Sequence, residues 1–202
     1  MKKILICLLL ILICVSSEAA MIEEHATVAV MDMGTHQGTS DPDFNLLNAE
    51  KSSSEYIIQQ LIKTNHFVVM DKDLVQDKLQ KENLKTTGLI DPDTAKRIGE
   101  ILGVKYLIYG NVVNVGLDEN VEAVVRVRTV KANLVIRIMD VKTGRILMAA
   151  KGEGKSKSAS VLEGKNFILI GTVKVSQTSV HNALQKASFQ AVDVLVERLF
   201  GK

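Results

Sequence analysis

Apolar positions recur along this chain at two spacings, and the change falls near residue 106. Thr27–Met31 (TVAVM) is short, valine-rich and bounded by Gly34, which predicts a first strand. Leu46, Leu47, Ala49, Tyr56, Ile57, Leu61 and Ile62 follow a near-3.6 period, so Leu46–Asn65 predicts a helix with one buried stripe. His66–Met70 reads as a second strand. Asp71 or Asp73 then caps a helix that turns Leu74, Val75, Leu79 and Leu84 to the core, and Gly88 breaks it. Asp91 followed by Pro92 opens another helix, with aspartate as N-cap and proline at the first helical position. Ala95, Ile98, Ile101 and Leu102 form its stripe, and Gly103 supplies a left-handed end. Gly99 inside this helix costs roughly 1 kcal/mol against alanine, which a close backbone contact with the sheet would explain.

From Tyr106 the texture becomes that of strands. Tyr106–Val115 is one, and Val121–Asp140 alternates before turning continuously apolar at Leu134–Ile136. Lys142-Thr143-Gly144 turns the chain into Arg145–Ala150, completing a hairpin. Asn166–Ser176 is a further strand, and Ser179–Leu199 closes the chain as a helix with Ala183, Leu184, Ala187, Ala191, Val194, Leu195 and Leu199 on its apolar face. Helices early and strands late predict an α+β fold, a mixed β-sheet layered with three to four helices in a single domain. A length of 202 residues leaves room for little more, and the 47% hydrophobic content is enough to fill one core.

The N-terminus changes the picture. Lys2-Lys3, the apolar run Ile4–Val15 and the small-residue exit Ser16–Ala20 make a signal peptide over residues 1–19, cleaved after Ala19 with Ser17 three positions before the cut. Residues 20–202 are then the exported domain. Both cysteines, Cys7 and Cys14, fall inside the leader, so the mature chain has no disulfide, thiolate ligand or thiol nucleophile. Losing Lys2, Lys3 and Glu18 takes the formal charge from +2 to +1, a balance that argues against nucleic acid as partner. The one basic cluster, Lys151–Lys157 (KGEGKSK), has its lysines spaced by Gly and Ser and reads as a solvated loop or exposed strand end.

Candidate chemistry is sparse. His25, His36, His66 and His181 are scattered with no i, i+4 pair, so no metal site is expected and surface roles account for them. Gly34–Asn45 contains two glycines but no following Lys-Ser/Thr, which excludes a P-loop. Ser52-Ser53-Ser54 lies on a helix face as polar filler, with no Gly-x-Ser-x-Gly elbow in the chain. The carboxylate pairs Asp41/Asp43 and Asp91/Asp93 each flank a proline, where aspartate caps backbone amides rather than doing acid–base work. No catalytic residue, cofactor or metal ligand is expected, and no binding residue can be named.

One stretch carries a resemblance. Leu61–Thr64, Phe67–Asp71, the helix Leu74–Leu84, Gly88–Pro92, Ala95, Gly99, Leu102–Ile108 and Gly110 resemble the curli assembly/transport component family (CsgG-like), as do Leu134–Asp140 and Lys142–Leu147. The similarity runs from Thr27 to about Leu199 and rests on fold-determining residues. It implies an exported, non-enzymatic envelope protein. The family's best-known members are outer-membrane lipoproteins that assemble into a ring, each subunit giving two β-hairpins to a secretion pore. Relatives are periplasmic accessory proteins, including lipoproteins that activate cell-wall synthases.

Two features depart from the pore-forming pattern. Ile13 precedes Cys14 where a lipid-attachment signal wants a small residue, and the hairpins are poor. Val121–Val130 alternates acceptably and Phe167–Val175 can serve as a strand, but Glu153–Ser160 (EGKSKSAS) is polar on both faces. The expectation is therefore a periplasmic protein acting through protein partners in secretion or envelope assembly, with a homo-oligomer left open and membrane association not predicted. An outer-membrane pore subunit and a regulator of a cell-wall synthase are the alternatives. Function would lie outside Asn65–Gly110, in the loop Gly34–Asn45 and the strands after Gly110; the role of Lys151–Ser160 stays open.

Overall fold

The computed structural model describes residues 25–35, 49–84, 90–122, 125–161 and 177–201. The expected signal peptide, the aspartates at 41 and 43, Gly88 and the strand at 166–176 lie outside them. In order, the elements are β1 (Ala26–Val30), β2 (Gly34–Thr35), α1 (Ala49–Thr64), β3 (Phe67–Val69), α2 (Lys72–Lys81), α3 (Pro92–Leu102), β4 (Tyr106–Glu122), β5 (Val125–Asp140), β6 (Arg145–Val161) and α4 (Gln177–Phe200). One mixed sheet runs β3-β1-β4-β5-β6, with β2 beside β4. Its first three strands are parallel and its last three antiparallel. This is the α+β architecture expected, with four helices among the described residues.

Strand alternation divides the core into two layers. Val28, Val30, Ile108 and Ile136 pack with Ile57 and Leu61 of α1 and with Ala187 and Leu195 of α4. Ala29, Leu107, Tyr109 and Met139 point the other way, onto Val75 and Leu79 of α2 and Ile98 and Leu102 of α3. Because the end of β1 is covered on both faces, Val28–Met31 reads as a continuous apolar run, while Thr27 before it is exposed. The extra residue Val113 sits between the pairs Val112↔Leu134 and Asn114↔Asn133, and this bulge brings both Val112 and Val115 to the α4 side.

Local signals at the helix ends hold. Asp71, and not Asp73, caps α2 by accepting from the amides of Asp73 and Leu74. Asp91 caps α3, Pro92 opens it, and Gly103 ends it at φ 71°. Gly99 is explained by the β5–β6 turn: a Cβ there would collide with the side chain of Val141. Leu74 does not reach the core and is 55% exposed, since Val75 and Leu79 take the buried face of α2.

The largest differences from expectation are in the strands. β4 runs on to Glu122, β5 starts at Val125, and β6 continues past Ala150 to Val161. KGEGKSK is thus neither loop nor strand end but the middle of β6, the strand at one edge of the sheet among the described residues. Its even positions, Gly152, Gly154 and Ser156, are buried, while Lys151, Glu153, Lys155 and Lys157 are exposed. The two glycines admit α4 against the strand: a Cβ on Gly152 would meet the carbonyl of Ala187, and one on Gly154 that of Ala183. Side chains of α4 also cover the strand's outer edge. Gln190 Oε1 accepts from the Glu153 amide at 2.7 Å, and Lys186 Nζ donates to the Lys155 carbonyl at 3.1 Å. Low β-propensity in this stretch is overridden by pairing with β5 along its whole length.

Candidate functional site

At the other edge of the sheet, the parallel order β3-β1-β4 makes the carboxyl end of β1 a topological switch point, where open α/β sheets usually receive ligands. Here the chain fills that crevice itself. After Val30 a short link over 31–33 carries the chain on in the same direction, and it pairs with β4 again, in parallel, as β2, Gly34 opposite Asn111 and Thr35 opposite Val112. Gly34–Asn45 was expected to be a loop, yet its first two residues are this strand; residues 36–45 are outside the described set. The cavity left beside Asp32, Lys72 and Val75 is about 10 Å³, which is room for one water at most.

Asp32, in this link, is 7% exposed and binds Lys72, the first residue of α2, with Nζ 2.8 Å from Oδ1. Lys72 Nζ also donates to Ser54 Oγ at 2.7 Å and to the Lys51 carbonyl at 3.3 Å, so all three ammonium protons are used. Ser54 Oγ lies 2.7 Å from Asp32 Oδ1 and 2.8 Å from the Lys51 carbonyl. Serine and lysine at this distance can form a nucleophile and its base. That use needs a neutral amine and a reachable hydroxyl. Here Nζ is engaged by Asp32, Ser54 and the Lys51 carbonyl, and Ser54 is fully buried. The three residues tie the end of β1 to the starts of α1 and α2.

Above this network lies a cleft of about 530 Å³ between α1 and the start of α2, with Ile58, Gln59 and Ile62 on one wall, Asp73 and Gln76 on the other, and Val69 and Met70 between them. Lys72 and Glu55 stand at its margin, Nζ 3.7 Å from Oε1. Ile62 is 60% exposed, and Val68 and Leu74, on the elements that bound the cleft, are 53% and 55% exposed. β3 is the edge strand among the described residues. His66 O accepts from His25 N and Met70 N donates to Val28 O, so alternation turns the peptide groups of Phe67 and Val69 outward.

The sequence expectations distribute unevenly over this geometry. Asp91 is the cap expected, and its carboxyl is held below the usual range mainly by the Thr94 hydroxyl, which lies 2.6 Å away, and by the Thr94 amide. Ser53 and Ser54 are buried, so the serine cluster is not filler. Nor are the histidines all plain surface groups: His66 stacks on Phe200 at 4.3 Å, and His181 Nδ1 lies 3.1 Å from the Tyr56 hydroxyl. Among the described residues, no three His, Cys, Asp or Glu side chains are grouped as metal ligands. Nor is any helix long and apolar enough to cross a membrane. Sequence reasoning missed Asp32 and Lys72. An aspartate directly after a buried valine strand was the available signal for the first.

Several solved structures are similar to parts of this chain. The LpoB C-terminal domain from Salmonella enterica shares 18% identity over 65% of this chain and 84% of its own, at a TM-score of 0.47. Lipoprotein GNA1162 from Neisseria meningitidis shares 15% over 66% and 84%, also at 0.47. The PelC dodecamer from Paraburkholderia phytofirmans shares 8% over 89% and 91%, at 0.41. No individually curated protein matches the chain in sequence. The family model for the curli production assembly/transport component CsgG matches residues 14–202, nearly the whole length, and the chain belongs to that family.

Proposed function

We propose that this protein is an exported, non-enzymatic component of cell-envelope assembly or secretion, of the curli assembly/transport type, and that it works by protein–protein contact through the cleft beside β3. The observation that carries this reading is the exposure of Ile62 on the cleft wall, with Val68 and Leu74 exposed on the flanking elements, beside a strand edge that is unpaired among the described residues. Aliphatic side chains in that setting offer a partner both apolar surface and outward peptide groups. The Asp32–Lys72–Ser54 network ties β1, α1 and α2 together beside the cleft and spends its charges internally. Family membership supports an envelope role, and residues 1–19 would deliver the chain to the periplasm.

A photo-crosslinking amino acid at Ile62 tests this in producing cells, with Glu197, exposed on α4, as the control position. One discrete adduct at Ile62, absent at Glu197 and lost on Val68→Glu, is expected. Adducts at neither position, or equally at both, would overturn the reading.

The length of β4 and β5, 17 and 16 residues, favours a second reading as a pore subunit, since about nine to eleven residues span a bilayer. Their charges oppose it. Glu119 and Arg128 are direct register partners, with Nε 2.9 Å from Oε2, while Asp118 and Lys131 pair from the alternate positions. Either face turned to lipid would carry an ion pair, at about 2–4 kcal/mol for a cation near the midplane. Detergent-dependent rings in the membrane fraction would favour the pore; recovery in the soluble periplasmic fraction would exclude it.

A further inference from the structure

On the α2/α3 side of the sheet, beyond the start of α3, the strands β4 and β5 form the floor of a cleft of about 450 Å³. It is a different surface from the β3 edge and stands on different residues. Its walls are mostly aliphatic, with Pro92, Val113, Val135 and Ile146 among them. Val113 and Ile146 are two of the few large apolar side chains exposed among the described residues.

Three side chains with polar groups break this apolar frame: Tyr109, whose hydroxyl is buried, Asn111 and Arg137. Arg137 is paired in register with Tyr109, and Asn111 with Val135, so adjacent positions on two strands bring the guanidinium and the carboxamide together. Their mutual contact is long, Arg137 Nη1 to Asn111 Oδ1 at 3.5 Å, and it is the only polar contact Arg137 makes among the described residues. Asn111 is nevertheless buried. The neighbouring cation on β6, Lys151, is engaged by Glu153 at 2.7 Å. A half-buried guanidinium with most of its donors unused among the described residues, set between aliphatic walls, is an incomplete electrostatic arrangement.

We infer that this cleft receives a carboxylate side chain of a partner polypeptide, bound by Arg137 and Asn111, with aliphatic residues flanking it against Val113, Val135 and Ile146. The planar fork of one guanidinium matches a carboxylate. A dianionic phosphate would leave charge uncompensated against apolar walls. The open, strand-floored shape suits an extended segment whose alternate side chains point into the cleft.

The test uses the isotope-labelled protein purified from the envelope fraction and three probes: the capped peptides Ac-Val-Glu-Val-NH2 and Ac-Val-Gln-Val-NH2, and acetate. The glutamate peptide is expected to shift the Arg137 Nε–H resonance and the amides of Val113 and Val135. Its affinity should exceed that of the glutamine peptide by about tenfold, and should fall by a similar factor in Arg137→Gln. Equal binding of the two peptides to the unaltered protein, no shift at Arg137, or the same shifts from acetate alone at equal concentration would each overturn the inference. The comparison between peptides does not depend on any variant folding.

Discussion

Lys72 Nζ lies 2.8 Å from Asp32 Oδ1, and the two side chains are only 16% and 7% exposed. The pair joins the end of a central strand to the start of a helix 40 positions later in the sequence, and Ser54 bridges both from a third element. Removing one partner strands the other charge in a poorly solvated place. Asp32→Ala is therefore expected to cost about 3 kcal/mol in urea unfolding, the range for breaking a buried pair rather than a surface one. Lys72→Met added to Asp32→Ala should recover part of the loss, and a double-mutant cycle reads the coupling. A cost of a few tenths for Asp32→Ala would mean that Glu55, at 3.7 Å from Nζ, or solvent compensates.

Gly152 and Gly154 set how closely α4 approaches β6. A methyl group on Gly152 meets the Ala187 carbonyl and also stands 2.9 Å from the Ala191 Cβ, so neither partner can yield without lifting the helix. Gly152→Ala should destabilise by about 3 kcal/mol, at the upper end for overpacking. Gly103→Ala is the control, because its φ of 71° is strained for alanine while nothing lies within 4 Å of the added carbon. That substitution should cost only about 1 kcal/mol. Urea midpoints that rank the two in the opposite order would show that backbone strain matters more than the helix–strand contact.

These two sites also show what could be read from the chain and what could not. Asp91, Pro92 and Gly103 were legible because a cap is a transaction between residues three or four apart. Asp32, Ser54 and Lys72 were not, since each becomes meaningful only when the sheet order places three distant segments together. Leu74 and Val75 are adjacent and both apolar, and periodicity alone did not say which would be buried. β6 beyond Ala150 looked like loop because glycine and lysine are poor strand formers; its register with β5 and its contact with α4 are nonlocal. The Arg137–Asn111 pair was invisible for the same reason, as residues 26 apart meet only across the β4–β5 register.

Asp91 gives a pH dependence with a definite sign. Hydrogen bonds from the Thr94 hydroxyl and amide hold its carboxyl below the ordinary value, so the folded state binds that proton less readily than the unfolded chain. The stabilisation is present above the unfolded carboxylate range and is lost as pH falls through the depressed folded value. Thr94→Val deletes the largest cause. Carbon-detected NMR titration should show the Asp91 carboxyl moving back up toward the usual range, and the acid-side fall in Tm attributable to Asp91 should shrink. An unchanged titration would mean that the backbone amides alone set the shift.

Tyr109 presents the reverse case. Its hydroxyl is buried with no hydrogen-bond partner among the described residues, and burial pushes its pKa above the ordinary value. An unsatisfied buried hydroxyl is a cost to the fold, so Tyr109→Phe should be neutral or stabilising, by up to about 1 kcal/mol at neutral pH. The raised pKa adds a direction. The folded state holds the proton more tightly than the unfolded chain, so stability present below the unfolded value, about 10, declines as pH rises through the folded one. Phenylalanine has no proton to lose and escapes that decline. The advantage of Tyr109→Phe in urea unfolding should therefore grow in alkali, and a variant less stable than the original at both neutral and alkaline pH would show that the hydroxyl has a partner after all.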